Sequence, residues 1–98
     1  MNLESYNKFV SEISVLVPSY NHAPFVERTL RSIFAQTHAP KKLLVIDDGS
    51  KDESVEIITQ VLRDCPFENE FIVRENRGLC ATLNEGFEKT DEEFFAYL

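Results

Sequence analysis

Glycine is scarce in this chain, with three in 98 residues, and neither GxGxxG nor GxxxxGK[ST] occurs. That excludes phosphate cradling by a glycine-rich turn. Basic charge is also in deficit: ten Lys and Arg against 17 Asp and Glu leave a net charge of −7. Nucleic acid and anionic membranes both reward clustered cations, so neither is the expected partner. Cysteine occurs only twice, at Cys65 and Cys80. Neither has a His or Cys neighbour at metal-ligand spacing, and each falls in an apolar helical pattern, which reads as a reduced structural thiol. No apolar run approaches the ~18–20 residues that span a bilayer. The first residues lack a signal-peptide core, and the expected location is cytoplasmic. Internal repeats, low-complexity segments and interdomain linkers are missing too, so one domain is expected.

What is present is apolar enough to fold: 43% of residues are hydrophobic, eight of them Phe, a composition of globular chains. The chain is organised around Leu43-Leu44-Val45-Ile46-Asp47-Asp48-Gly49-Ser50-Lys51-Asp52. Four apolar residues in a row predict a short strand buried on both faces. Two carboxylates follow where the strand leaves the sheet, and Gly49 permits a turn that a side chain would obstruct. Ser50 with Glu53 matches a capping box, which predicts a helix starting there, with Lys51 and Asp52 as helix-start residues.

Residues 1–12 read as a loose leader. Ile13-Ser14-Val15-Leu16-Val17 predicts a strand that Pro18 stops, because proline donates nothing to a ladder. A helix is predicted from Pro24, with Val26, Leu30, Ile33 and Phe34 on one stripe, broken at Thr37-His38-Ala39-Pro40. A second helix turns Val55, Ile58, Val61 and Leu62 inward and ends at Cys65-Pro66. Phe71-Ile72-Val73 predicts a third strand, Leu79, Leu83 and Phe87 a third helix, and Phe94-Phe95-Ala96-Tyr97-Leu98 a fourth strand. Strands alternating with helices make the expected fold α/β, a Rossmann-like parallel sheet with right-handed helical crossovers.

Parallel strands present their carboxyl ends along one edge, where open α/β sheets bind ligands. Residues 18–22, 47–52 and 76–78 are therefore expected to converge. They offer an aromatic face in Tyr20, amides in Asn21 and Asn76, carboxylates in Asp47 and Asp48, and a cation in Arg77. That set suits a nucleotide, with a ring to stack on, donors to satisfy and phosphate charge to offset. His22 and His38 read as solvated loop residues, and Asp91, Glu92 and Glu93 as a solvated turn.

Val15-Leu16-Val17-Pro18-Ser19-Tyr20-Asn21, Leu30-Arg31-Ser32-Ile33-Phe34-Ala35-Gln36-Thr37 and Val45-Ile46-Asp47-Asp48-Gly49-Ser50-Lys51-Asp52, in that order, resemble the start of a family-2 glycosyltransferase of GT-A fold. Asn76-Arg77-Gly78-Leu79 with Asn84 and Gly86 is similar to the block after that family's third strand. The resemblance runs over 13–98. It implies strand order 3-2-1-4 with helices on both faces, and the nucleotide-sugar-binding half of the enzyme. It further implies transfer of a sugar from a nucleotide-activated donor, often a UDP-sugar, to a hydroxyl acceptor with Mg or Mn.

On these positions the resemblance implies that Pro18, Tyr20 and Asn21 line the nucleotide pocket. Asp48 would accept hydrogen bonds from the base, Asp47 would shape the loop, and Asn76, Arg77 and Gly78 would border base and ribose. No catalytic residue and no metal ligand is expected within this sequence, because the family's Asp-x-Asp would fall just beyond Leu98. Leu83 stands where the family often has Arg. The expectations that follow are an incomplete, inactive half-domain and a two-fold dimer through the fourth strand.

Three other classes bear comparison. A receiver domain needs acidic residues where this chain has Pro18-Ser19 and Arg74-Glu75, and a dinucleotide-binding oxidoreductase needs the missing glycine loop. A nucleotide-binding or assembly module without chemistry is the alternative.

Overall fold

The computed structural model describes residues 14–36, 40–78, 81, 84 and 85, together with the backbone of 94–96. The expected leader at 1–12, Ile13, the helix break at 37–39, Leu79, Cys80, Leu83, Phe87, the acidic run at 91–93 and residues 97–98 lie outside them. The elements follow in the order β1 (Ser14–Ser19), α1 (Ala23–Phe34), β2 (Lys42–Asp47), α2 (Ser54–Leu62), β3 (Asn69–Val73) and β4 (Phe94–Ala96).

The strands form one sheet in the order β3-β2-β1-β4, and every pairing is parallel. Leu43, Leu44, Val45 and Ile46 are at most 2% exposed, as a strand covered on both faces requires. On one face Val15, Val17, Leu43 and Val45 pack with Val26, Leu30 and Ile33 of α1 and Ile58 and Val61 of α2. Leu16, Leu44 and Ile46 form the core of the other face, with Ile72 against them. Each such side chain contributes roughly 1.5–3 kcal/mol by leaving water.

Both complete helices share one face because β1, β2 and β3 step across the sheet in one direction, and right-handed crossovers then fall on one side. In the connection from β3 to β4, Ala81, Asn84 and Glu85 are helical.

β3 starts at Asn69 and α2 ends at Leu62, each a few residues from the expected bound, and two further differences bear on the site. Pro18 does not stop β1; it is paired in register with Ile46, and the strand continues to Ser19. Ser19 O accepts from Asp48 N at 2.8 Å, so the polar backbone of Ser19 faces β2. Polar groups alternate sides along a strand, so the missing N–H of Pro18 points away from β2. The β1–β2 ladder loses nothing.

The capping box is the second correction. The helix starts at Ser54, not Ser50, and its N-cap, Glu53, makes no side-chain capping bond. The Ser50 hydroxyl is committed elsewhere: it donates to Asp47 Oδ2 at 2.6 Å and accepts from Asn21 N at 2.8 Å. Asp52 does the capping instead. Its Oδ1 accepts from Ser54 N at 2.9 Å and its Oδ2 from Ala23 N at 3.1 Å. One carboxylate thus serves the first amide of both α1 and α2, where the helix dipoles favour negative charge.

Candidate functional site

Register sets the site. Ser19 lies beside Asp47 and Asp47 beside Val73, so the loops after β1, β2 and β3 leave the sheet at one level. The loop after β1 is laced to the loop after β2. Ser19 Oγ donates to Asp47 Oδ2 at 3.1 Å, Lys51 N to Asn21 Oδ1 at 2.8 Å, and His22 N to Ser54 Oγ at 2.9 Å. Asn21 has φ 51°, a left-handed conformation that Asn tolerates better than most residues. There its amide reaches Ser50 and its side chain reaches Lys51.

The two adjacent aspartates do different jobs. Asp47 is fully buried. Its Oδ1 accepts from Ser50 N at 2.7 Å while Oδ2 takes the Ser19 and Ser50 hydroxyls. It holds its own turn and the first loop, the shaping role expected of it. Asp48 is 4% exposed and points to the third loop. Its Oδ1 accepts from Arg77 N and its Oδ2 from Gly78 N, both at 2.8 Å. Each oxygen therefore already holds a backbone amide, whereas the sequence reading had kept this carboxylate for a base.

Gly49 completes the closure. Its φ is +80°, and a Cβ built there would lie 2.8 Å from Asn76 N and 3.3 Å from Arg74 O. Both the conformation and the space require glycine. Around this framework, Tyr20 is 40% exposed and Asn21, Asn76, Arg77 and Gly78 are exposed, whereas Pro18 is buried in β1. The structure thus gathers all eight expected site residues at one sheet edge, three of them buried in its floor and five on its rim.

Sequence reasoning missed Arg74. Its side chain is 10% exposed; Nη2 lies 3.3 Å from Asp48 Oδ1 and Nε 3.2 Å from Glu85 Oε1. The Nε contact is an ion pair misaligned for a hydrogen bond. The one available signal was an Arg directly after the third strand, level with an acidic pair after the second.

A sequence profile described as Glycosyl transferase family 2 matches residues 14–98. The chain belongs to this family. An uncharacterized glycosyltransferase from Nostoc sp. is 36% identical over 87 residues, covering 89% of this chain and 27% of that protein. A poly-β-1,6-N-acetyl-D-glucosamine synthase from Staphylococcus epidermidis is 33% identical over 93 residues, covering 94% and 22%. Among solved structures, a mannosyltransferase from Pyrobaculum calidifontis in complex with GDP-Man and Mn2+ superposes with TM-score 0.75 at 25% identity, covering 83% of this chain and 25% of that one. The chain spans about a quarter of these relatives' length. Its α/β architecture is that of GT-A glycosyltransferase structures.

Among the described residues no three His, Cys, Asp or Glu side chains come together to hold a metal ion. Asp47 and Asp48 are spent on loop amides, hydroxyls and a guanidinium, a donor set that does not fit a divalent cation. No described residue is assigned to one. Among the described residues, no helix is long and apolar enough to cross a membrane.

Proposed function

We propose that this chain supplies the nucleotide side of a donor site for a nucleotide-activated sugar, a UDP-sugar, in an enzyme that passes the sugar to a hydroxyl acceptor. The observation that carries this reading is the three strand-end loops drawn together around Asp47 and Asp48, with exposed aromatic, amide and cationic groups about them. Tyr20 offers the base a face, Asn21 stands beside it, and Asn76, Arg77 and Gly78 border base and ribose. Pro18, Asp47 and Asp48 hold these groups in position from below. Asp48 acts by presenting the 76–78 loop, since its oxygens already serve that loop's amides. In support, the mannosyltransferase structure that this fold resembles was solved with a nucleotide sugar and Mn2+. The commitment of both aspartates leads us to expect no sugar transfer by the 98 residues alone.

Titration with UDP and GDP, followed by amide NMR shifts, tests the reading. UDP is expected to bind with a dissociation constant on the order of 0.1–1 mM, roughly 4–5.5 kcal/mol. The shifts should cluster at 19–22, 47–51 and 76–78. Scattered shifts, or none at millimolar nucleotide, reject the pocket; tighter binding of GDP rejects the uridine preference.

A further inference from the structure

A largely buried cation, Arg74, lies beneath the loops and not on their rim. Arg74 leaves β3 with its backbone still in the ladder, Arg74 N donating to Asp47 O at 3.1 Å. Its side chain turns inward to 10% exposure, between Asp48 of the second loop and Glu85 of the helical segment beyond the third. Asp48 in turn carries the amides of Arg77 and Gly78. Three parts of the chain, separated in sequence, therefore meet at one guanidinium.

The arrangement has an electrostatic consequence. A diphosphate approaching this edge meets two buried carboxylates, and an uncompensated buried carboxylate would repel it. A guanidinium 3.3 Å from Asp48 offsets that charge without occupying the surface. Its planar fork also suits two acidic partners at once, which a lysine ammonium does less well. The other Arg with two acidic partners, Arg31 with Glu27 and Asp64, has side chains 47–61% exposed and is solvent-screened.

We propose that Arg74 is a positioning residue of the nucleotide site. It fixes the Asp48 carboxylate that holds the 76–78 loop, and it couples that loop to the helical segment carrying Glu85. This rests on the nucleotide-site reading, but its first consequence is visible without ligand.

The experiment compares Arg74→Met, Arg74→Lys, Glu85→Gln and Arg31→Gln by amide hydrogen exchange without nucleotide and by UDP titration. In Arg74→Met the Arg77 and Gly78 amides should lose protection while β1 and β2 amides keep theirs, and UDP affinity should fall about tenfold. Arg74→Lys should restore part of both, Glu85→Gln should give the same changes at smaller size, and Arg31→Gln should give neither. Should Arg74→Met fail to fold, Arg74→Lys carries the test, with partial loss of protection at Arg77 and Gly78 expected. Unchanged protection at those amides in a folded Arg74 variant overturns the proposal, as does equal loss in Arg31→Gln. Absence of UDP and GDP binding in the unsubstituted protein overturns the nucleotide reading instead, while the exchange data still judge the brace.

Discussion

The first two loops of the site are joined differently from the third. Between the loops after β1 and β2 run six hydrogen bonds: Ser19 Oγ, Asn21 N, His22 N and Ala23 N donate across to the second loop, and Asp48 N and Lys51 N donate back. Most pair neutral groups, and no single side chain makes them all. Among the described residues, a buried carboxylate, a guanidinium and a glycine hold the third loop. A lacing spreads its strength over many contacts of about 1 kcal/mol each. A buried charged pair concentrates it, and removing one partner leaves the other charge uncompensated. Single substitutions should therefore loosen the third loop far more than the first two.

Asp48→Ala is the strongest way to break that contrast. It removes the carboxylate that the Arg77 and Gly78 amides and the Arg74 guanidinium share, at an expected cost of about 3–5 kcal/mol. Urea denaturation with hydrogen exchange at Arg77 and Gly78 checks it. A loss under about 1 kcal/mol with those amides still protected would show that the third loop has other support. Gly49→Ala comes next. A Cβ in a left-handed conformation, 2.8 Å from Asn76 N, should cost about 2–3 kcal/mol. Its amide shifts should change in the 74–76 stretch, whereas residues 19–23 should hardly move.

What could be read from the sequence divides along the same line. The buried run from Leu43 to Ile46 and the α1 stripe of Val26, Leu30 and Ile33 were legible because local periodicity reports burial directly. Gathering the loops at one edge followed from parallel topology alone. The specific partners were not legible. Asp48 meets Arg77 and Gly78 across 29 and 30 residues of chain, and nothing local distinguishes a carboxylate that holds a loop from one that awaits a ligand. Ser50 shows the reverse error: a local capping pattern lost to a longer-range competition in which Asp47 and Asn21 claimed its hydroxyl. Pro18 continued its strand because its missing donor lies on the side away from β2, a matter of register that its own chemistry does not report.

Asn21 sharpens the comparison from the laced side. Asn21→Ala removes the acceptor for Lys51 N and puts a Cβ without a polar end at φ 51°. About 1–2 kcal/mol should be lost. Asn21→Gly loses the same hydrogen bond but relieves the conformation, so it should cost less than the alanine variant despite its greater unfolded-state entropy. Thermal denaturation of the pair separates backbone from side chain. If glycine were the more damaging of the two, its unfolded-state entropy would outweigh the relief of strain.

Acid should act most gently, through the carboxylate on the laced side that serves the first amides of both helices. The Asp52 carboxyl is held below its ordinary value of 3.8, chiefly by hydrogen bonding from the Ser54 hydroxyl, against a smaller upward push from burial, with the Ser54 and Ala23 amides adding to the decrease. A carboxylate lowered on folding contributes stability above its unfolded value, and that stability is lost as pH falls through the folded value. The contribution should therefore be complete near pH 5 and disappear only below 3.8. Asp52→Asn keeps an acceptor but removes the titration, so the stabilities of variant and parent should converge in that acidic window. Carbon-detected NMR titration of the carboxyl reads the same event directly. A midpoint at or above 3.8 would mean that the shared cap on α1 and α2 adds nothing to the charged form.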